Sequence, residues 1–131
     1  MSEARVTEKL RKANPEWLWK PISDKFGAGT PDRCVLWRGR GKVAWGEAKC
    51  LETLPKRSCK VNLKPRQAAW LEEWQQNGGF SFLVIGFEEQ NKVAMFFSDF
   101  SRIAHQGVLL EEIELIAYED VTLKLKSLVG G

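Results

Sequence analysis

The sequence lacks the long apolar runs and paired cysteines that mark several protein classes. No apolar stretch approaches the roughly 20 residues that a membrane-spanning helix needs, and residues 1–5 are acidic and helical in character rather than signal-like. We therefore expect an intracellular, cytoplasmic protein without a membrane partner. The three cysteines, Cys34, Cys50 and Cys59, form an odd set without close pairs, which indicates neither a disulfide framework nor a zinc site.

Histidine is also scarce, because His105 is the only one in the chain. It lies far in sequence from the motifs described below. A surface or helix-end position is therefore favoured over a role as general base.

The composition is that of a folded protein of modest size. The 131 residues are 44% hydrophobic and 28% charged, which is too apolar for a disordered chain. This length suits one core and one site, so we expect a single domain over residues 1–131.

The charge is unevenly distributed, although the net charge is only +3. Acidic residues gather near the C-terminus. Basic residues concentrate in the middle of the chain. By itself this cluster is equally compatible with one basic, nucleic-acid-binding face and with a solvated mixed-charge surface, and other evidence has to distinguish them. The candidate DNA-binding residues in this stretch are Arg33, Arg38, Arg40, Lys56, Arg57, Lys60, Lys64 and Arg66.

The N-terminal third predicts a helix followed by a strand and a loop. Apolar residues at a helical spacing predict a helix from Ser2, its N-cap, to Ala13, and Glu3 shares the apolar stripe. Glu16 to Ile22 is typical of a short strand, and Ser23 to Pro31, with its glycines, of a loop.

The next segment predicts a β-hairpin. Arg33 to Arg38 and Lys42 to Cys50 are typical strands, joined by a glycine-rich turn. In the second strand the two-residue period places Glu47 and Lys49 on one face, with small residues on the other that suit packing against a helix.

The rest of the chain completes an α/β domain with a mixed central sheet flanked by helices. A basic loop, Leu51 to Leu63, precedes a helix from Pro65 to about Asn77. Two strands follow, at Phe80 to Phe87 and Val93 to Phe97. Short helices are predicted near Phe100 to Ala104 and Glu119 to Leu128.

The hairpin carries the residues with the clearest chemistry. It should bring Asp32, at the start of its first strand, close to Glu47 and Lys49 near the end of its second. Two neighbouring carboxylates repel, and a hard cation such as Mg²⁺ or Mn²⁺ removes that penalty. The carbonyl of Ala48 is a possible third ligand. Such an ion activates water for phosphodiester hydrolysis, and Lys49 can orient that water or stabilise the transition state.

A structural alternative stays open at this point. Glu47 and Lys49 could form a surface pair on an edge strand, and Asp32 could cap the turn after Pro31. A lone Glu-x-Lys triplet would favour that interpretation. The preceding Gly-x-Pro-Asp and the hairpin spacing favour the metal site.

These segments resemble the PD-(D/E)XK nuclease superfamily, and most closely its VRR-NUC branch, which includes phage-encoded and Holliday-junction-resolvase-like enzymes. The family's G-x-P-D-R motif matches Gly29 to Arg33, and its E-x-K motif matches Glu47 and Lys49. Further matches are Glu3 with Val6 and Leu10 on the first helix, Lys20 and Ser23 in W-K-x-x-S, and Gln67 at the start of the helix after the E-x-K strand.

The resemblance covers roughly residues 3–86 and implies a restriction-endonuclease-like core and a metal-dependent DNA endonuclease. It implies supporting catalytic roles for Glu3 and Gln67 and a phosphate contact for Lys20. Each has an ordinary alternative: a first-turn acid, an exposed lysine, a helix-surface glutamine. The chain departs from the family in its longer basic loop and in a C-terminal extension from about residue 98.

The substrate and the oligomeric state are inferred less directly from the sequence. With no helix-turn-helix or zinc finger to read bases, branched or nicked DNA is the expected substrate. Paired cuts and a surplus of apolar residues predict a homodimer. The six tryptophans are mostly core by spacing, although one or two could stack on unpaired bases. The alternatives are a non-cleaving module that binds nucleic acid or a partner on the same fold, and a protein that inhibits or recruits a host protein.

Overall fold

A five-stranded mixed sheet, flanked by helices on both faces, organises the chain. The structure, a computed structural model, describes residues 2–22 and 29–130. The sheet has the order β1-β2-β3-β5-β6, and β4 pairs with β7 in a separate two-stranded sheet. The strands are β1 (Trp17–Pro21), β2 (Arg33–Trp37), β3 (Lys42–Leu51), β4 (Ser58–Cys59), β5 (Ser81–Phe87), β6 (Lys92–Phe96) and β7 (Val108–Leu109).

Four α-helices accompany these strands, and their ends follow local signals. Ser2 caps the first helix by accepting a hydrogen bond from the Arg5 backbone amide. Pro65 occupies the first turn of the second, which gives way to Gly78 and Gly79. The helices are α1 (Glu3–Ala13), α2 (Pro65–Gln76), α3 (Phe100–Gln106) and α4 (Val121–Leu128), and short 3₁₀ turns occupy Leu110–Glu112 and Tyr118–Asp120. None of the helices in the described ranges is long and apolar enough to cross a membrane.

The predicted fold class is confirmed, since β3 runs antiparallel to β2 and parallel to β5. The predicted hairpin, the buried strand β5 and its neighbour β6 are also present. Of the predicted loop Ser23 to Pro31, residues 23–28 lie outside the described residues, and so does Ser23 of the W-K-x-x-S match.

Each face of the sheet has its own core. Ala44 and Ala48 of β3 share one core with Val6 and Leu10 of α1, which confirms that the small-residue face of β3 packs against a helix. The other core joins residues from α2, α3 and the opposite side of β5, namely Ala68, Leu71, Phe100, Ile103, Leu83, Ile85 and Phe87. The side chains of β3 that face this second core include the candidate site residues.

The chain beyond residue 98 packs onto both cores. Val108 is buried, Ile113 and Leu115 pack against the core under α2, and Ile116 packs against the other. Leu109, Leu110 and Leu123 of this tail stay substantially exposed, at 42%, 40% and 67%. The homodimer stays a prediction. The sequence also missed the short pairing of β4 with β7.

Candidate functional site

The candidate site lies where β3 extends beyond β2. Pairing between these strands runs only as far as Arg33 opposite Gly46, whereas β3 continues to pair with β5 as far as Leu51. Asp32 directly precedes β2, so an extension of this register by one residue would place it across from Glu47. Facing residues of an antiparallel pair point to the same side, so that extension predicts both carboxylates on one face of the sheet.

Glu47 and Lys49 lie side by side inside the protein. Their side chains are 2% and 6% exposed, and Lys49 Nζ is 3.8 Å from Glu47 Oε2. A second carboxylate, Glu3 Oε1 at the start of α1, is 3.9 Å from the same nitrogen. The structure thus brings Glu3, at the N-terminus of α1, next to two consecutive inward positions of β3 that lie 44 and 46 positions away in the sequence.

Burial of this pair has an energetic cost. Taking a carboxylate and an ammonium out of water costs several kcal/mol per ion, and their attraction compensates only with good geometry. Here the contacts of Lys49 are long for charge-assisted hydrogen bonds, at 3.8 and 3.9 Å.

The first turn of α2 holds the segment that precedes Asp32. Gly29 has a φ of +89°, and a Cβ at this position would clash with the backbone oxygen of Arg66. Only glycine allows both the left-handed conformation and this close approach. Gly29 therefore packs directly against the start of α2.

Arg33 ties Asp32 to α1. Its guanidinium donates to the Asp32 carbonyl oxygen at 2.7 Å and to Thr7 Oγ1 at 2.9 Å. The same carbonyl accepts from the Ile22 amide at 2.9 Å. These bonds give Arg33 a positioning role that the sequence did not reveal, and Thr7 is a supporting residue that it missed.

Gln67 also has a local structural role. Its Oε1 accepts a hydrogen bond from the Lys64 backbone amide at 3.0 Å, which satisfies one free donor at the start of α2. A glutamine three residues after the helix boundary is the sequence signal that could have predicted this. The supporting catalytic role of Gln67 stays a prediction.

The oxygen donors at the site suit a hard cation. The Oδ1 atom of Asp32 and the Oε1 atom of Glu47 are both fully buried. Within residues 2–22 and 29–130, no group of three or more histidine, cysteine, aspartate and glutamate side chains is placed to hold a metal ion. The donors that the sequence predicts are two carboxylates and the Ala48 carbonyl. Mg²⁺ typically takes one or two carboxylates and completes its shell with water and substrate phosphate, so this set fits.

The three cysteines add no ligand to the candidate metal site. All are free thiols, and burial raises the pKa of each above its ordinary value. The thiols therefore stay protonated near neutral pH, whereas a metal ligand must be a thiolate. Their interpretation as reduced, small packing residues agrees with this environment.

The candidate DNA-binding residues fall in separate places. Lys20 of β1 pairs with Cys34 of β2. Cys34 follows Asp32 by two residues, so the two-residue period of a strand places them on the same face. Lys64 and Arg66 are exposed on the α2 turn against which Gly29 packs.

The remaining basic residues lie elsewhere. Arg38 and Arg40 occupy the hairpin turn, where Arg38 donates to the Pro15 carbonyl and Arg40 lies over the Trp37 ring. Five residues of β3 separate this turn from Glu47, a distance of about 17 Å. Lys56 and Arg57 precede β4, and Lys60 donates to the His105 carbonyl at 2.7 Å. His105 itself is exposed in the last turn of α3, which confirms its predicted surface position.

Comparison with known proteins gives matches among solved structures and not among family models or curated proteins. No protein-family model matches the sequence, and no curated protein does. A solved structure described as "VRR_NUC domain" is similar to this chain, with 20% sequence identity and a TM-score of 0.49. The alignment covers 81% of this chain and 97% of that one.

Proposed function

We propose that this protein is a DNA endonuclease that hydrolyses phosphodiester bonds with the help of Mg²⁺ or Mn²⁺. The observation that carries the proposal is the buried pair Glu47 and Lys49, set where β3 extends beyond the last β2–β3 pair, Arg33 and Gly46. An acid pair with an ammonium beside it is what phosphodiester hydrolysis requires: donors for a cation and a fixed positive charge.

Asp32, Glu47 and the Ala48 carbonyl would hold the metal ion. When bound, the ion supplies a water of lowered pKa and neutralises charge on the phosphate. Lys49 holds a fixed positive charge 3.8 Å from Glu47, from which it can donate to a phosphate oxygen or to the attacking water. Glu3, 3.9 Å from Lys49, orients that ammonium. Because the pair is largely withdrawn from solvent, these interactions are weakly screened.

The proposed substrate is branched or nicked duplex DNA. Phosphate contacts fix the position of a protein on DNA but carry no sequence information. We assign such phosphate contacts to the exposed cations on the first turn of α2 and on the loop around β4. We therefore propose that the protein recognises the shape of its DNA substrate and not its base sequence.

The simplest test incubates the purified protein with supercoiled plasmid and with a four-way junction, in Mg²⁺, Mn²⁺ or EDTA. We expect cleavage in either metal, none in EDTA, and faster cutting of the junction than of linear duplex. A homodimer with two opposed sites should convert plasmid to linear DNA, and a monomer should produce nicked circles. DNA binding without cleavage in any divalent metal would reject the nuclease in favour of a non-cleaving module.

Charge reversal around β4 should weaken DNA binding. In the double variant Lys56→Glu and Arg57→Glu, both exposed side chains lose their phosphate contacts. Each lost contact lowers the slope of log K against log salt by about 0.9, so we expect a slope up to about 2 units shallower, measured by fluorescence anisotropy.

A matched control carries the same charge change elsewhere. Lys12→Glu with Lys92→Glu alters two exposed lysines that line a cleft between α1 and the β5–β6 turn. This pair should leave the slope unchanged. If the two double variants behaved alike, the loop around β4 would not lie on the DNA path.

A further inference from the structure

Three tryptophans form a cluster next to the candidate site. Trp45 of β3 contacts both Trp70 and Trp74 of α2, with ring centroids 5.4 and 5.9 Å apart. Trp70 and Trp74 stack nearly parallel, 5.1 Å apart at an angle of 14°. This network locks the orientation of the two helix indoles, so the surface they present is preformed.

A cleft opens over this cluster. Its lining within the described chain is Trp70, Glu73, Trp74 and Asn77, which follow one another on one side of α2, and its volume is about 420 Å³. Trp74 is 39% exposed, although tryptophan is among the residues that gain most from burial. The cleft lies within the size range of small-molecule sites, roughly 300–1,000 Å³.

The exposed apolar area is too small for a protein partner. A tryptophan carries up to about 250 Å² of surface, so 39% exposure leaves only about 100 Å² at Trp74. A stable protein interface needs about 800 Å² on each partner. A single flat ring is an occupant of the right scale.

The polar groups around the cleft suit the edge of a nucleobase. Glu73 can accept hydrogen bonds from exocyclic amino groups, and the Asn77 side chain offers an amide. A carboxylate at this position disfavours a phosphate, so the backbone of a bound strand must run outside the cleft. The two cations on the same helix, Lys64 and Arg66, lie at its first turn and are exposed to meet that backbone.

The cleft is also close to the proposed catalytic residues. Trp45 precedes Glu47 by two residues on the same face of β3, a distance of about 7 Å. Along α2, Trp74 lies seven residues from Gln67, or about 10 Å. A strand passing Glu47 could place a base a few nucleotides away at Trp74.

We propose that the Trp70–Trp74 cleft binds an unpaired base of the DNA substrate by stacking, and so selects DNA with a single-stranded segment. The inference rests on the proposed nuclease function for its biological meaning, but the binding event needs neither metal nor cleavage. Paired bases are stacked within the duplex and cannot enter, whereas a base in a flap or at a branch is free to do so.

The test measures binding in EDTA to two labelled DNAs, a blunt duplex and the same duplex with a single-stranded overhang. Trp74→Ala should weaken binding to the overhang DNA by roughly 5- to 100-fold, the range for loss of one stacked base, and leave binding to the blunt duplex unchanged. Trp74→Phe keeps a stacking ring and should stay within about 3-fold of the parent protein.

Two controls make the result interpretable. Leu123→Ala removes a 67% exposed side chain on α4 and should alter neither affinity. Thermal melting of the parent, Trp74→Ala and Trp74→Phe proteins verifies that each is folded.

Unchanged preference for the overhang DNA in Trp74→Ala, or an equal loss of affinity for both DNAs, would overturn the proposal. If overhang binding depended on Trp74 but no DNA were cut in any metal, the nuclease function would fail and the base site would stand.

Discussion

Glu47→Gln and Asp32→Asn are each expected to reduce DNA cleavage by more than about 100-fold. Even the loss of a group that merely supports a metal ligand costs about 10- to 100-fold in metal affinity or activity, and these two residues are the proposed ligands themselves. Both changes preserve side-chain shape; Glu47→Gln leaves buried Lys49 with Glu3 as its neighbouring carboxylate, so it should also lower stability. DNA binding should be retained or tightened, because one negative charge near the phosphate is removed.

The measurement compares cleavage rates in Mg²⁺ with DNA affinity in EDTA. Glu52→Gln, just beyond β3 and exposed, makes the same chemical change outside the site and should cut at the parental rate. Normal cleavage by Glu47→Gln would reject the metal assignment. A fall in both cleavage and DNA affinity would indicate unfolding, which circular dichroism detects.

Lys49→Met is expected to impair both cleavage and stability, for separable reasons. Loss of a fixed charge that stabilises a transition state costs about 10²- to 10³-fold in rate. Removing one partner of a buried ion pair costs about 3–5 kcal/mol, because the other charge stays buried and uncompensated. Glu47, at 2% side-chain exposure, is that remaining charge.

A second substitution separates the two effects. In the double variant Lys49→Met with Glu47→Gln, no uncompensated charge remains, so chemical denaturation should show most of the lost stability recovered. Cleavage should stay absent. Calorimetry should show that Lys49→Met alone still binds Mn²⁺, because lysine is not a ligand. Cleavage by Lys49→Met at the parental rate would leave the ion pair with a structural role only.

Much of the local structure was predictable from sequence because its determinants are close in the chain. Ser2 begins α1 by bonding an amide three residues away, and Pro65 begins α2. The two-residue period of β3 correctly placed Glu47 and Lys49 on one face, opposite the small residues under α1. Each of these features depends on propensity or periodicity within one element.

Other features required contacts between distant segments. The pairing of Ser58–Cys59 with Val108–Leu109 joins two segments about 50 residues apart, each too short to show a periodic pattern. Arg33 looked like a surface cation in a motif, and only the position of Thr7 on α1 reveals that it holds the Asp32 backbone in place. Arg38 and Arg40 are near Asp32 in sequence, but the straight course of the hairpin carries them to its far end.

The sequence by itself determined the longer helices and strands and the fold class, and it singled out Asp32, Glu47 and Lys49, because hydrophobic period, helix caps and turn glycines act over a few residues. Tertiary structure alone decided three further points. It buried Glu47 and Lys49, it brought Glu3 from α1 to 3.9 Å from Lys49, and it stacked Trp70 on Trp74 beside Trp45. Burial and proximity depend on which elements cover each face of the sheet, and no local pattern in the chain encodes that.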